Sequence, residues 1–286
     1  MSKRYLIINN DDFGMFHAVN RTTKELLVNK LISSATVMMP CPWVMEVVHF
    51  LKENKNIDVG VHLTLTSEWE DYRWGPTLPK DKVPSLVDEE GYFYKTVEEV
   101  VEYADYDEIK MELNNQILLA MKNGINFTHI DNHMFTLFGK NFHKIAFELS
   151  QKYKVPFRFA KVIDENLCGE FSEDELNLYY YYANLSEENG IKVPDRLATS
   201  GYFMEEGETY EMFKQEFIDF LKSVDYGVTE YFFHPIKDDE EAKAANPYWE
   251  KRYWEYQIIK EDEVWEVIKE REIELISWRP LKEKLI

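Results

Sequence analysis

Cysteine is almost absent: the 286-residue chain contains only Cys41 and Cys168. Two thiols are too few for a disulfide framework or a thiolate metal site, and they suit a reducing compartment. Basic residues are scarce too, with 33 Lys and Arg against 53 Asp and Glu and a net charge of −20. No Lys/Arg cluster is long enough to make a local basic patch. Such a chain repels phosphate backbones and anionic headgroups, which argues against nucleic acid and membrane as partners and favours neutral or cationic small ligands. Long apolar runs are also missing. The first, residues 5–8, is cut short by Asn9, Asn10, Asp11 and Asp12. It is too short for a signal peptide, and no later run approaches the ~20 residues of a membrane span. The expected location is the cytoplasm. Gly/Ser linkers, breaks in composition and fixed-period repeats are likewise lacking, so one domain over residues 1–286 is expected.

What is present is a core-forming composition, 45% hydrophobic and 15% aromatic, too apolar for a disordered chain. Short apolar runs at 5–8, 35–39, 58–65, 127–131, 157–159, 229–234 and 273–277 read as strands. Helical spacing of apolar residues falls between them at 20–31, 43–55, 107–123, 141–153 and 210–223, and a charged helical region precedes the last strand. Alternating strands and helices predict parallel βα units, an α/β class. Two stretches break the rhythm, 66–96 and 165–204, and are expected to be long loop insertions. The expected architecture is therefore a distorted (β/α) barrel with largely parallel strands and two insertions.

In parallel α/β folds the chemistry sits at the carboxyl ends of the strands. Here those ends are rich in ligands: Asp11-Asp12 closes the first strand, His62 lies on the third, Asp131 and His133 follow a fourth, and His234-Pro235 closes a later one. Carboxylates and imidazoles gathered at one rim repel or go unsatisfied unless they are solvated, hydrogen-bonded or bound to a cation. One carboxylate with two imidazoles suits zinc or another borderline cation and leaves a position open for water. Singly, each has a plainer explanation: an Asx turn for Asp11-Asp12-Phe13-Gly14, a core histidine for His62, a cap for His133 and a strand terminus for His234. Of the other histidines, His17 could approach the site, His129 is expected to be packed within its strand, and His49 and His143 are expected on the surface. The run Asp238-Asp239-Glu240-Glu241 reads as a helix start. Arg158 is the candidate substrate-binding residue, holding a substrate oxygen or orienting Asp11; a structural ion pair is equally compatible. Trp69, Tyr72 and Trp74 either face a sugar or pack their loop down.

Taken together, Asn10-Asp11-Asp12-Phe13-Gly14 with Val19-Asn20, Gly60-Val61-His62-Leu63, Thr128-His129-Ile130-Asp131-Asn132-His133 and Phe233-His234-Pro235 resemble the YdjC-like carbohydrate deacetylase family, which includes chitooligosaccharide deacetylases and is related to the NodB-type polysaccharide deacetylases. Glu274-Leu275-Ile276-Ser277 resembles the family's last strand. The resemblance implies a distorted barrel that holds one divalent metal ion, zinc or magnesium, through Asp12, His62 and His133. It further implies Asp11 as catalytic base, His234 as candidate acid, and an acetylated amino sugar as substrate. Many members continue the Asp-x-His segment with further histidines, whereas here Met134-Phe135-Thr136 follow His133.

Amide hydrolysis needs an activated water, a stabilised oxyanion and a protonated leaving amine, and these residues could supply each. Asp11 and Asp12 can share one pocket only if the chain turns directly after Asn10, since neighbours on a regular strand face opposite sides. The alternatives are a metal-dependent hydrolase of another amide or a phosphoester, and a non-catalytic carbohydrate-binding protein.

Overall fold

The computed structural model describes residues 3–139, 141–168 and 171–286. Eight strands, β1 (Arg4–Phe13), β2 (Ser34–Val37), β3 (Val59–Leu63), β4 (Ile130–Asn132), β5 (Val162–Ile163), β6 (Arg196–Ala198), β7 (Gly227–Phe233) and β8 (Ile273–Leu275), form one sheet. Its order is β4-β3-β2-β1-β7-β6-β5, with β8 paired to β1, and every pairing is parallel. The sheet curls into a distorted α/β barrel with helices around it. β1 is its axis: Leu6, Ile7 and Ile8 are fully buried, as expected for a strand covered on both faces. Its first residues pair with β8 and its last with β2, while β7 pairs with Arg4 to Asn10 along the opposite edge.

The strand expected at 157–159 is a single parallel bridge, Ile130 to Phe157. Ile130 N–H donates to the Pro156 carbonyl at 2.9 Å and Arg158 N–H returns to the Ile130 carbonyl at 3.0 Å. The chain is then pinched by a bond from Phe159 N–H to the Phe157 carbonyl and resumes pairing at β5 beside β6. Pro156 has no N–H to extend a ladder. The break joins the two ends of the sheet through one kinked segment, which carries Arg158.

The first expected insertion, 66–96, has only two short 3₁₀ turns, Lys80–Lys82 and Pro84–Leu86. It is fastened by Trp74, Val83, Leu86 and Phe93, all buried. Buried Glu112 accepts from Thr77 N–H, Thr77 Oγ1 and Leu78 N–H. The second expectation needs correction, because residues 165–204 contain a 16-residue helix, Glu173–Glu188, and strand β6. The missed signal was Ser172-x-x-Glu175, a reciprocal capping box. On that helix Tyr179 is buried and Tyr181 exposed, so four consecutive tyrosines are spread around its circumference. The helices expected at 20–31, 43–55, 107–123, 141–153 and 210–223 are found as His17–Val28, Val44–Glu53, Tyr106–Lys122, His143–Tyr153 and Tyr210–Ser223. The acidic run does start a helix, with Asp239 capping Glu240–Ala245. Among the described residues no helix is long and apolar enough to cross a membrane.

Candidate metal centre and active-site cleft

A bulge at the end of β1 places the two aspartates together. Between Asn10 and Phe13 the register against β2 slips by one residue, and Asp12 adopts a left-handed φ of 64°. The extra residue re-aims its side chain, so Asp11 and Asp12 face one pocket despite being adjacent on a strand. A second sharp turn follows β4, where Met134 and Phe135 both have φ of 51°. With its amide oxygen turned toward the turn, Asn132 accepts from the N–H groups of Phe135, Thr136 and Leu137 at 3.3, 2.8 and 3.2 Å. This reversal leaves His133 at the strand end.

Asp12, His62 and His133 converge, with one ligand atom from each lying within 4.8 Å of the others. His62 Nε2 lies 3.4 Å and His133 Nδ1 3.2 Å from Asp12 Oδ1, a buried oxygen with no hydrogen-bond partner. The remaining nitrogen of each imidazole is held by a carboxylate: His62 Nδ1 by Asp131 Oδ1 at 2.8 Å, and His133 Nε2 by Glu68 Oε2 at 3.0 Å. Carboxylates behind ligand histidines are the usual means of orienting imidazoles around a metal. Burial works against a charge on either ring, yet Asp131 and Asp12 raise the His62 pKa to about 9, and Glu68 with Asp12 carries His133 well above the ordinary histidine range. The pocket thus demands positive charge, which protons or a divalent cation can supply. The donor set fits a divalent metal.

Asp11 stands beside this cluster in a different environment. Arg158 grips it two-pronged, Nη1 to Oδ2 and Nη2 to Oδ1, both at 2.7 Å. The same guanidinium reaches Asp131 Oδ2 at 2.8 Å and donates through Nε to Glu230 Oε1 at 2.9 Å. Burial disfavours the Asp11 carboxylate, but Arg158 outweighs it and holds the group well below the usual range. Burial pushes Glu230 the other way, up to about 8 despite Arg158, with Asp11 and Asp131 adding to the rise. Asp11, His62 and Asp131 also lie close enough to share an ion, but Arg158 already neutralises both carboxylates. Of the readings left open for Arg158, the structure finds the buried ion pairs.

His234 follows β7 with Nε2 3.9 Å from Asp11 Oδ2 and Nδ1 unpartnered. Burial and then the Arg252 charge push its pKa down to about 3, so the imidazole is neutral at pH 7. His17 turns away from the site: its ring bonds Glu46 at 3.1 Å and packs on Trp43. His129 is packed as expected, stacked on Trp278 at 4.5 Å, and His49 is exposed. His143 is a correction. It is fully buried among Phe138, Tyr179 and Tyr182, because the helix His143–Tyr153 presents its first residue to the helix Glu173–Glu188, which sequence patterning had left as loop.

These groups open into a cleft of about 1090 Å³. Trp69 lines it with its indole N–H unpartnered. Tyr72 reaches the Met15 carbonyl at 2.6 Å and Trp74 the Thr66 carbonyl at 2.8 Å, so these two tie the insertion down. Phe135, in the segment that follows His133, packs on Phe138, Phe171 and Phe232 and makes that wall apolar. Two contributors escaped sequence reasoning: Glu230 is an acidic residue inside an otherwise apolar strand, and Glu68 left no signal. Asp131 is among the expected strand-end ligands, but its role behind His62 is visible only in the structure.

Fold and site define an α/β-barrel protein with a candidate divalent-metal centre at the carboxyl ends of its strands. The chain belongs to the YdjC-like protein family, whose model matches residues 5–270. It is 31% identical over 285 residues to a carbohydrate deacetylase of Enterococcus faecalis, covering 98% of this chain and 99% of that one. It is 27% identical over 279 residues to a carbohydrate deacetylase of Thermoanaerobacter pseudethanolicus, covering 98% and 100%. Among solved structures it resembles a protein of Enterococcus faecalis described as a candidate for cellobiose-phosphate cleavage, with 30% identity, a TM-score of 0.76 and coverage of 98% and 99%.

Proposed function

We propose that this chain is a metal-dependent hydrolase that removes the acetyl group from an N-acetylated amino sugar or short chitooligosaccharide, acting as one domain throughout 1–286. The observation that carries this reading is the convergence of Asp12, His62 and His133 on one unpartnered carboxylate oxygen, directly beside an aspartate locked by arginine. The names borne by its relatives point the same way.

In this reading Asp12, His62 and His133 hold the divalent cation, zinc or magnesium, with Asp131 and Glu68 fixing the two rings. Bound there, such a cation polarises an acyl oxygen and acidifies water. Asp11 is the base. Arg158 keeps it ionised and aimed, so it accepts a proton from the attacking water without first having to lose one. Arg158 is a positioning residue, since three of its five N–H groups donate to the carboxylates of Asp11 and Glu230 and Nη2 also lies 2.8 Å from Asp131 Oδ2. His234 is the acid: its neutral imidazole, with Nε2 3.9 Å from Asp11 Oδ2, takes up the proton that Asp11 accepts from the water and passes it to the departing sugar nitrogen.

The phosphoester alternative is the weaker one. The two arginines that line the cleft, Arg158 and Arg252, are both paired with carboxylates, and exposed Glu70, Asp71 and Glu98 border it, so a phosphate would find acidic surroundings and no free cation. The test is product analysis on protein loaded with zinc or magnesium. Release of acetate from an N-acetylated amino sugar is expected; release of phosphate from a sugar phosphate with no acetate from any N-acetyl sugar would overturn the proposal.

A further inference from the structure

The cleft is larger than one sugar ring requires, at the upper end of the range for small-molecule sites. One wall leads outward from the catalytic imidazole in single-residue steps. Tyr202 lies 5.4 Å from the His234 ring. Phe203 follows, 59% exposed, and meets Tyr248, 38% exposed, edge to face at 5.0 Å and 73°. Both rings line the cleft.

Exposed aromatics on a loose loop would mean little, but these stand on fastened backbone. The Phe203 carbonyl accepts from Lys251 Nζ at 2.8 Å, and that ammonium is itself clamped by both oxygens of Glu208 at 2.8 and 3.0 Å. The Lys251 side chain is only 3% exposed. A buried ion pair is a costly fastener, and here it secures the segment that presents a phenylalanine to solvent. Tyr248 is fixed by its N–H on buried Asn246 Oδ1 at 2.8 Å, with Pro247 before it. Rigid exposed rings continuous with a reaction cleft are suited to the apolar face of a pyranose. Two rings are far too small an area for a stable protein partner, which needs about 800 Å² per side.

We propose that Phe203 and Tyr248 form a stacking platform for the sugar residue next to the one that is deacetylated, making this chain selective for an uncharged oligosaccharide over a single N-acetylated sugar. This rests on the deacetylase reading for its catalytic consequence but not for its binding consequence. Two measurements on the full chain separate them. The first is acetate release by metal-loaded protein from N-acetylglucosamine and from its β-1,4-linked trimer, expressed as the ratio of kcat/KM. The second is calorimetric binding of the trimer to metal-free protein.

Wild type is expected to favour the trimer in both. Phe203→Ala and Tyr248→Ala should each lower the trimer-to-monomer ratio on the order of tenfold, mainly through KM, and weaken trimer binding to match. Phe203→Trp, which keeps a ring face, should retain the preference. A wild-type ratio near one, or a ratio that stays within about twofold in both alanine variants, overturns the platform and leaves deacetylation standing. Trimer binding that depends on Phe203 and Tyr248, without acetate from either sugar, supports the platform and overturns deacetylation. Absence of both acetate release and trimer binding overturns both proposals.

Discussion

Arg158 and Asp11, 147 residues apart in the chain, form a two-pronged ion pair with both contacts at 2.7 Å, in which each residue is almost wholly buried. The geometry matches a planar guanidinium to a planar carboxylate, which an ammonium cannot reproduce. Arg158→Met should therefore leave Asp11, Asp131 and Glu230 without their shared cation and lower stability by about 3–5 kcal/mol in urea unfolding. Arg158→Lys should keep more of that stability but lose turnover, because a point charge does not aim Asp11. Equal loss of turnover and stability in the two variants would argue against a positioning role.

The proposed base and the proposed metal ligands are separable by one pair of measurements. Asp11→Asn is expected to retain metal by elemental analysis while turnover falls about 10²- to 10⁴-fold. His62→Ala and His133→Ala are expected to lose the metal itself. Stoichiometric metal in both histidine variants contradicts the ligand assignment, and wild-type turnover in Asp11→Asn contradicts the base.

Glu68 and Asp131 make a subtler prediction, because neither is assigned to the metal. Each holds the far nitrogen of an imidazole proposed as a ligand. Glu68→Gln and Asp131→Asn should weaken metal binding about 10- to 100-fold, read by competition with a chelator. Asp131→Asn should also cost folding stability, since it removes an Arg158 partner, whereas Glu68→Gln should not.

His143 predicts an acid sensitivity unrelated to the site. Its ring nitrogens have no partners, and burial pushes its pKa down from 6.5 to about 4 although Glu175 opposes the shift. Between those pH values the unfolded chain binds the proton and the folded chain resists it, so stability falls as pH drops through this window. The loss grows to roughly 3 kcal/mol by about pH 4. His143→Phe should lose markedly less stability than wild type between pH 7 and pH 4.5 in thermal unfolding. Parallel profiles would refute the assignment.

Gly60 faces His129 so closely that an added Cβ would sit 2.6 Å from Nε2. That imidazole cannot retreat, because it is stacked on buried Trp278. Gly60→Ala should destabilise the protein by about 1–3 kcal/mol, and metal affinity should fall with it, since His62 is two residues along the same strand. An unchanged melting temperature would show that the contact relaxes freely.

The βα rhythm was legible because a parallel strand buried on both faces shows as a short apolar run, as at residues 5–8 and 229–234, although β1 itself continues through buried Asn9, Asn10 and Asp11 to Phe13. Helices with a regular apolar face were legible for the same reason. The helix Glu173–Glu188 was not, because its tyrosines supply apolar surface on every side and mask the helical period. The break at Pro156 was visible as a residue, but its consequence, a kinked closure carrying Arg158, depends on which strands lie on either side.

By itself the sequence determined the class of fold and the set of candidate ligating side chains, because hydrophobic periodicity and residue chemistry are local properties. Only the tertiary structure decided how those side chains meet. The left-handed Asp12 that puts two adjacent aspartates in one pocket, the recruitment of Glu68 from an insertion, and the assembly of Asp11, Asp131 and Glu230 around Arg158 all depend on distances between segments far apart in the chain. Electrostatic energy depends on those distances and on burial, neither of which a linear order of residues contains.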